Sequence, residues 1–250
     1  MTLRRKLLDV WATGKSGVAI ATLLGLLILL LRTPLERWSY DLPYLIRPQA
    51  TISEVAIVHL DDVSHQALNQ PYDGAWDRTN HAELVEVLTE AGARAIAFDI
   101  LFNDEGRNPA ANLKFANAVR KNGKVVLASD LGTGDYYAYA IDLRPMLPNS
   151  TLLAATPYYG FDQLMPDPDD CIRRHLHDVA TIQSLSWSLA TMLNAEVTKH
   201  PGSASEERWL NYYGPRDTIP HLSYAQALNR NDPAVKDFFR NRVVFIGSAT

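Results

Sequence analysis

The chain contains 250 residues, of which 47% are hydrophobic, so it can bury one sizeable core or a core together with a membrane segment. Its net charge is −4. Residues 1–16 carry four basic and one acidic side chain, a surplus of three, which leaves −7 on the rest of the chain. This acidic body argues against a nucleic-acid partner, because DNA and RNA binding needs clustered lysine and arginine. The single cysteine, Cys171, excludes an internal disulfide and a multi-cysteine zinc site.

The first predicted element is a transmembrane anchor at residues 16–32. Residues 17–31 contain no charge, and Lys15 and Arg32 at the ends can extend their side chains toward the headgroups. The residues that follow lack the small side chains of a signal-peptide cleavage site, so an uncleaved anchor is favoured over a cleaved signal peptide. The basic residues before the anchor place the tail, residues 1–15, in the cytoplasm. The body, residues 33–250, then lies outside, and residues 35–48 are predicted to form a helical stem.

The stretch 80–102 predicts a helix that leads directly into a buried strand. Asn80 is a suitable N-cap, apolar side chains recur at helical spacing, and Gly92 suits the left-handed position after the helix. Residues 93–102 are almost continuously apolar, which is typical of a central parallel strand with helices on both faces. Asp99 lies near the carboxyl end of this strand, the edge at which open α/β sheets bind ligands.

Strand-like and helix-like segments alternate along the rest of the body. The other predicted strands are residues 55–60, 124–129, 208–213 and 243–246, and the other main helices begin near residues 108, 184 and 232. This alternation predicts an α/β fold, with one three-layer domain around a mostly parallel sheet. Residues 130–170 are expected to form an irregular excursion with one or two hairpins, where specificity would reside. The sequence stops directly after a predicted core strand, so we expect it to be truncated.

Three carboxylates follow two of the predicted strands. If residues 55–60 and 93–98 form neighbouring strands, Asp61, Asp62 and Asp99 gather at one sheet edge and could hold Mg²⁺ or Ca²⁺. Each of them could equally cap a helix or pair with an arginine. A surface-anchored, metal-dependent hydrolase is therefore the alternative function, and it requires the carboxylate oxygens to converge within about 4–5 Å.

Two residues near the start of the predicted central helix are further candidates. His81 lies in the first turn, where the helix dipole disfavours its charged form, and a structural hydrogen bond to Asp61 or Asp99 is expected. Arg78 could bind a carboxylate of the protein or of a ligand through two hydrogen bonds. His175 and His177 with Cys171 would give only a thin metal site, because no fourth ligand is evident.

Five segments in chain order carry a resemblance to a known family. They are Ile57–Asp62, Trp76-Asp77-Arg78 with His81-Ala82, Ala91-Gly92-Ala93 through Phe98-Asp99-Ile100-Leu101-Phe102, Asp169–Arg174, and Tyr213-Gly214-Pro215 with Ile219-Pro220, Ser223-Tyr224-Ala225 and Val244–Gly247. On these segments the chain resembles the type 2 CHASE domain, an extracytoplasmic sensory module of bacterial cyclases, kinases and related receptors.

The resemblance implies a sensory domain of a membrane-anchored bacterial receptor. Residues 1–250 would cross the inner membrane once, with a periplasmic or extracellular body that binds a small molecule or a protein. The resemblance leaves a homodimer open. It implies neither a cofactor nor an enzyme in these residues, since any cyclase or kinase would lie beyond residue 250. An adhesion or scaffold module is a third hypothesis. The candidate ligand-binding residues are Asp61, Asp62, Arg78, His81, Asp99 and Arg173.

Overall fold

The structure, a computed structural model, describes residues 15–48, 50–132, 145–179, 182–200, 202–203 and 206–248. The chain divides into two compact units, Met1–Gln49 and Ala50–Thr250. The described residues of the first unit contain helix α1 (Lys15–Ile46), whose residues Ser16–Ile46 are long and apolar enough to cross a membrane. Its apolar side chains are largely exposed, as a helix surrounded by lipid requires. The predicted stem is confirmed as helical, because it continues the same helix.

The second unit contains the remaining elements. Its strands are β1 (Val55–Leu60), β2 (Ala95–Leu101), β3 (Val125–Ser129), β4 (Tyr159–Phe161), β5 (Arg174–His175), β6 (Asp178–Val179), β7 (Ile182–Gln183), β8 (Arg208–Trp209), β9 (His221–Ser223) and β10 (Val243–Ser248). Its helices are α2 (Asp62–Ala67), α3 (Arg78–Glu90), α4 (Pro109–Asn122), α5 (Ser150–Leu153), α6 (Leu185–Met192), α7 (Tyr224–Ala227) and α8 (Pro233–Phe239), with a 3-10 helix at Glu196–Lys199.

Six of these strands form one parallel sheet in the order β4-β3-β2-β10-β1-β9. Helices α3, α4, α7 and α8 contribute to the core on one face. Helix α6 covers part of the other face, where Leu185 and Leu189 pack with the alanines of β2 and with Val126. The predicted α/β fold, three layers around a mostly parallel sheet, is therefore confirmed, and apolar side chains on both faces of β2 and β3 account for it.

Local signals placed several helix ends correctly. Asn108 caps α4 ahead of Pro109, and both Gly92 and Gly123 have left-handed backbone angles, with φ of 75° and 71°, where their helices end. The start of α3 differs from the prediction. It begins at Arg78, because the side chain of Asp77 accepts a hydrogen bond from the Thr79 amide and so serves as the N-cap in place of Asn80.

Two predicted segments differ more strongly. Only Arg208–Trp209 of the predicted strand 208–213 is extended, in a two-residue antiparallel pair with β5, and the rest forms a loop. Within the predicted excursion, Tyr159–Phe161 is an edge strand of the main sheet. It packs so closely on α6 that a Cβ at Gly160 would lie 2.5 Å from the backbone carbon of Ser184. Residues 133–144 of the predicted excursion lie outside the described residues.

Candidate functional site

The carboxylates predicted to gather at one edge lie apart in the sheet. Strand β10 pairs with both β1 and β2, so β1 and β2 are not neighbours and the expected cluster of Asp61, Asp62 and Asp99 does not form there. The physical reason is that the last strand returns to the sheet centre, where both of its faces are buried. Across the described ranges, no group of three histidine, cysteine or acidic side chains is arranged to hold a metal ion. The arrangement that the hydrolase alternative requires is thus missing from this part of the chain.

Asp61 acts as a helix cap. It is the N-cap of α2 and accepts hydrogen bonds from the amide and the hydroxyl of Ser64, at 2.9 and 2.5 Å. Asp62 occupies the exposed first turn of the same helix, where a negative charge is favourable next to the helix amides. Both positions are those of structural residues.

Asp99 meets a carboxylate that the sequence did not indicate. It alternates with Ala95 and Ala97, which places it on the α6 face, where it interacts with Asp162 just after β4. Partial burial, followed by repulsion from Asp99, raises the pKa of Asp162 to about 6, and burial also raises the pKa of Asp99. A Cβ at position 247 of β10 would lie 3.3 Å from the Asp99 Cβ, so a larger residue than Gly247 would require the Asp99 side chain to shift by a few tenths of an ångström.

Arg78 is buried and held by protein groups. Its guanidinium donates to the Asn112 side-chain oxygen at 2.5 Å and to the Asp104 carboxylate at 2.5 Å, and it lies 5.5 Å from the centre of the Phe102 ring. Asn149 donates to the carbonyl oxygens of Phe102 and Asp104 and so holds the same loop. The carboxylate that Arg78 was predicted to bind is therefore that of Asp104, within the protein.

His81 is fully buried against aromatic rings. Its Nδ1 lies 2.8 Å from the hydroxyl of Tyr224, the first residue of α7, and not against Asp61 or Asp99 as expected. Burial, assisted by the charge of Arg78, lowers the pKa of His81 to about 3. The imidazole is thus neutral at physiological pH. It takes part in the core and lines a small cavity of about 170 Å³ together with His65, Tyr72 and Trp76.

Arg173 stabilises a turn. It is buried and donates to Asp167 at 3.0 Å and to both oxygens of Asp169 at 2.8 and 3.0 Å. Arg174 beside it binds the other oxygen of Asp167 at 2.6 Å. The acidic-arginine segment found in the sequence therefore forms an ion-pair cluster. Arg173 lies in it, apart from the other candidate residues.

A cleft that sequence reasoning did not single out lies at the other end of the sheet, beside β1 and β9. It has a volume of about 470 Å³ and is lined by Ile57, His59, His221, Ser248 and the loop of residues 210–219. We call it the histidine cleft. Its volume is in the range of clefts that bind small molecules. Parallel strands β1 and β10 end here, and the loop that replaces the predicted strand 208–213 forms its wall.

The two imidazoles of the histidine cleft face each other. The rings of His59 and His221 lie 5.1 Å apart, edge to face, and His221 Nε2 lies 3.9 Å from a carboxylate oxygen of Asp217. The Nδ1 of His59 is buried without a hydrogen-bond partner. Burial, followed by the proximity of His221, lowers the pKa of His59, so this ring is neutral at pH 7. An unpaired buried nitrogen costs about 1–3 kcal/mol.

Comparison with known families decides the class of the protein. A family model, the CHASE2 domain, matches residues 18–250. The chain belongs to the CHASE2 family. CHASE2 domains are extracellular sensory domains of signalling receptors, so this chain is a sensory domain with an N-terminal helix that suits a membrane anchor. Searches of curated proteins and of solved structures find no match.

The CHASE2 segments divide between core and cleft. The Trp-Asp-Arg and Ser-Tyr-Ala segments meet in the core, where Trp76, His81 and Tyr224 contact one another. In contrast, Tyr213-Gly214-Pro215 lies on the wall of the histidine cleft. The only sequence signal for the cleft was this Gly-Pro loop. His59 was hidden because it lies inside an apolar strand.

Proposed function

We propose that this CHASE2 domain is the extracytoplasmic sensory part of a membrane-anchored receptor and binds a small molecule in the histidine cleft. The observation that carries the proposal is the cleft itself, whose lining contains the neighbouring imidazoles of His59 and His221. Of the residues predicted from the sequence, Arg78 and Arg173 have acidic partners and His81 has Tyr224. Binding in the cleft would leave these structural contacts intact.

The wall of the cleft is hydrogen-bonded to the residue at which the second unit begins. The amide of Ala50 donates to the carbonyl oxygen of Tyr213 at 3.0 Å, so the cleft wall is bonded to the first residue of the second unit. A few residues of chain join Ala50 to the end of α1 at Ile46. A ligand that favours one arrangement of the loop 210–219 would therefore bias the position of Ala50.

Binding is tested with the full chain in lipid nanodiscs, screened against mixtures of small metabolites by thermal shift. Any compound that raises the melting temperature is then mapped by hydrogen exchange. We expect slower exchange in residues 210–221 and loss of the shift in His59→Ala. Exposed His200 supplies the matched control, His200→Ala, which should retain the shift. Protection confined to other segments, or no compound that shifts melting, would contradict the proposal.

Orientation has a built-in reporter, because Cys171 is the single cysteine and is exposed. The basic residues ahead of α1 put the tail in the cytoplasm and the body in the periplasm. A thiol reagent that cannot cross the inner membrane should label Cys171 in spheroplasts that express the full chain. Cys171→Ser is the blank. Labelling only after the cells are lysed would place the body in the cytoplasm and refute the orientation.

A further inference from the structure

We propose that the ligand of the histidine cleft carries a carboxylate group, which is bound by His59, His221 and Arg216. This inference rests on the proposed function and names the chemical class of ligand that the same cleft takes. The carboxylate is the only group of the ligand that is predicted. Simple carboxylic acids and α-amino acids both supply that group, and the experiment below separates them.

The donors in the cleft point to an anion. The ring centres of His59 and His221 lie 5.1 Å apart. Nδ1 of His221 lies 3.2 Å from the Ile219 carbonyl oxygen, which leaves Nε2 for a ligand. Arg216 on the wall provides a guanidinium. Within the residues that the structure describes, Arg216 makes no ion pair with any carboxylate, unlike Arg78 and Arg173. A guanidinium with free donors and two imidazoles can together bind both oxygens of a carboxylate, and such charge-assisted bonds are the strong ones.

The groups that face His59 come from three places. His221 on β9 and Arg216 on the loop lower its pKa, while Asp61 after β1 and Asp217 on the loop raise it; burial has the largest effect and lowers it. A carboxylate bound beside His59 adds a negative charge and so raises the pKa of the ring. Binding near neutral pH would then take up a proton, and affinity would rise as the pH falls.

The residues that line the cleft restrict the size of the ligand and the groups that can stand beside its carboxylate. Apolar Ile57, Leu210 and Ile219 line the same cleft, so a short hydrocarbon part has a surface to contact. Asp217 is exposed at the rim and already lies 3.9 Å from His221 Nε2. A second carboxylate placed near Asp217 would be repelled, whereas the ammonium group of an amino acid would be attracted. The cleft therefore distinguishes among carboxylates by what stands beside the acid group.

Isothermal titration of the full chain in nanodiscs, with propionate, succinate, L-leucine and propylamine as probes, tests the proposal. We expect at least one carboxylate to bind, with proton uptake seen as a dependence on buffer ionisation enthalpy. Arg216→Gln should weaken the binding of that carboxylate about tenfold or more, because the variant loses a charged hydrogen bond. His59→Asn should abolish the proton uptake. Arg240 is exposed and is not among the residues that line the cleft, so Arg240→Gln is the control.

The Asp217→Asn variant separates the two sources of carboxylate. This variant should bind L-leucine more weakly than the wild type does, and it should bind propionate with equal or higher affinity. Binding of propylamine alone, or carboxylate binding that ignores both Arg216→Gln and His59→Asn, would overturn the proposal. If no carboxylate binds while a neutral compound from the metabolite screen protects residues 210–221, the carboxylate inference fails and the proposed function survives. If nothing protects those residues, the proposed function itself fails.

Discussion

The pair formed by Asp99 and Asp162 gives a prediction about stability and pH. The change is Asp162→Asn, which keeps the shape of the side chain and an N–H donor for Asp99 but removes one negative charge. The pKa of Asp162 rises from 3.8 to about 6 in the folded chain, chiefly because the group is half-buried and secondarily because of Asp99. In a fully buried site such a shift would correspond to about 3 kcal/mol of folding free energy. Partial exposure to solvent reduces it to about 1–2 kcal/mol.

The direction follows from which state holds the proton more tightly. The folded pKa of Asp162 lies above the unfolded value, so the folded chain binds more protons between about pH 4 and pH 6. The wild type therefore loses stability as the pH rises through this window, whereas Asp162→Asn does not. At pH 7.5 the variant should be more stable than the wild type by about 1–2 kcal/mol. Near pH 4 the difference should largely vanish.

Urea unfolding of the full chain in detergent, followed by circular dichroism at several pH values from 4 to 8, measures this difference. Asp73 is exposed, so Asp73→Asn controls for the loss of one negative charge. A variant that is no more stable than the wild type at pH 7.5, or whose advantage is the same at pH 4 and pH 8, would refute the reasoning. Either result would mean that ionisation of both Asp99 and Asp162 does not lower the free energy of unfolding.

Three further predictions concern the core and the anchor. Gly160→Ala should destabilise the body by about 2 kcal/mol or more, seen as a lower melting temperature, because its Cβ would meet the backbone of Ser184. Tyr224→Phe should cost about 1–3 kcal/mol in urea unfolding, since it leaves the buried His81 nitrogen unpaired; an unchanged midpoint would contradict this. Leu24→Arg should make membrane insertion of α1 less favourable by about 3 kcal/mol, measured as a smaller fraction of chain in the membrane pellet.

The sequence alone determined the features that depend on neighbouring residues. The uncharged run in α1, the cap and glycine of α4 and the glycine after α3 are local signals, and each of these elements forms where it was predicted. The two-sided apolar character of β2 was equally visible, because a strand buried on both faces needs apolar side chains at every position. Fold class and family therefore followed from the sequence.

Only the tertiary structure decided which strands are neighbours and hence which side chains meet. β10, the last strand, lies between β1 and β2, which separates Asp61 from Asp99 and leaves Asp99 to meet Asp162 across the α6 face. His59 became part of a cleft only when β9 and the loop 210–219 folded beside β1. Strand order depends on how distant faces pack against each other, and that information is spread over the whole chain. Residues near one another in sequence therefore predicted the elements, while the site required the complete sheet.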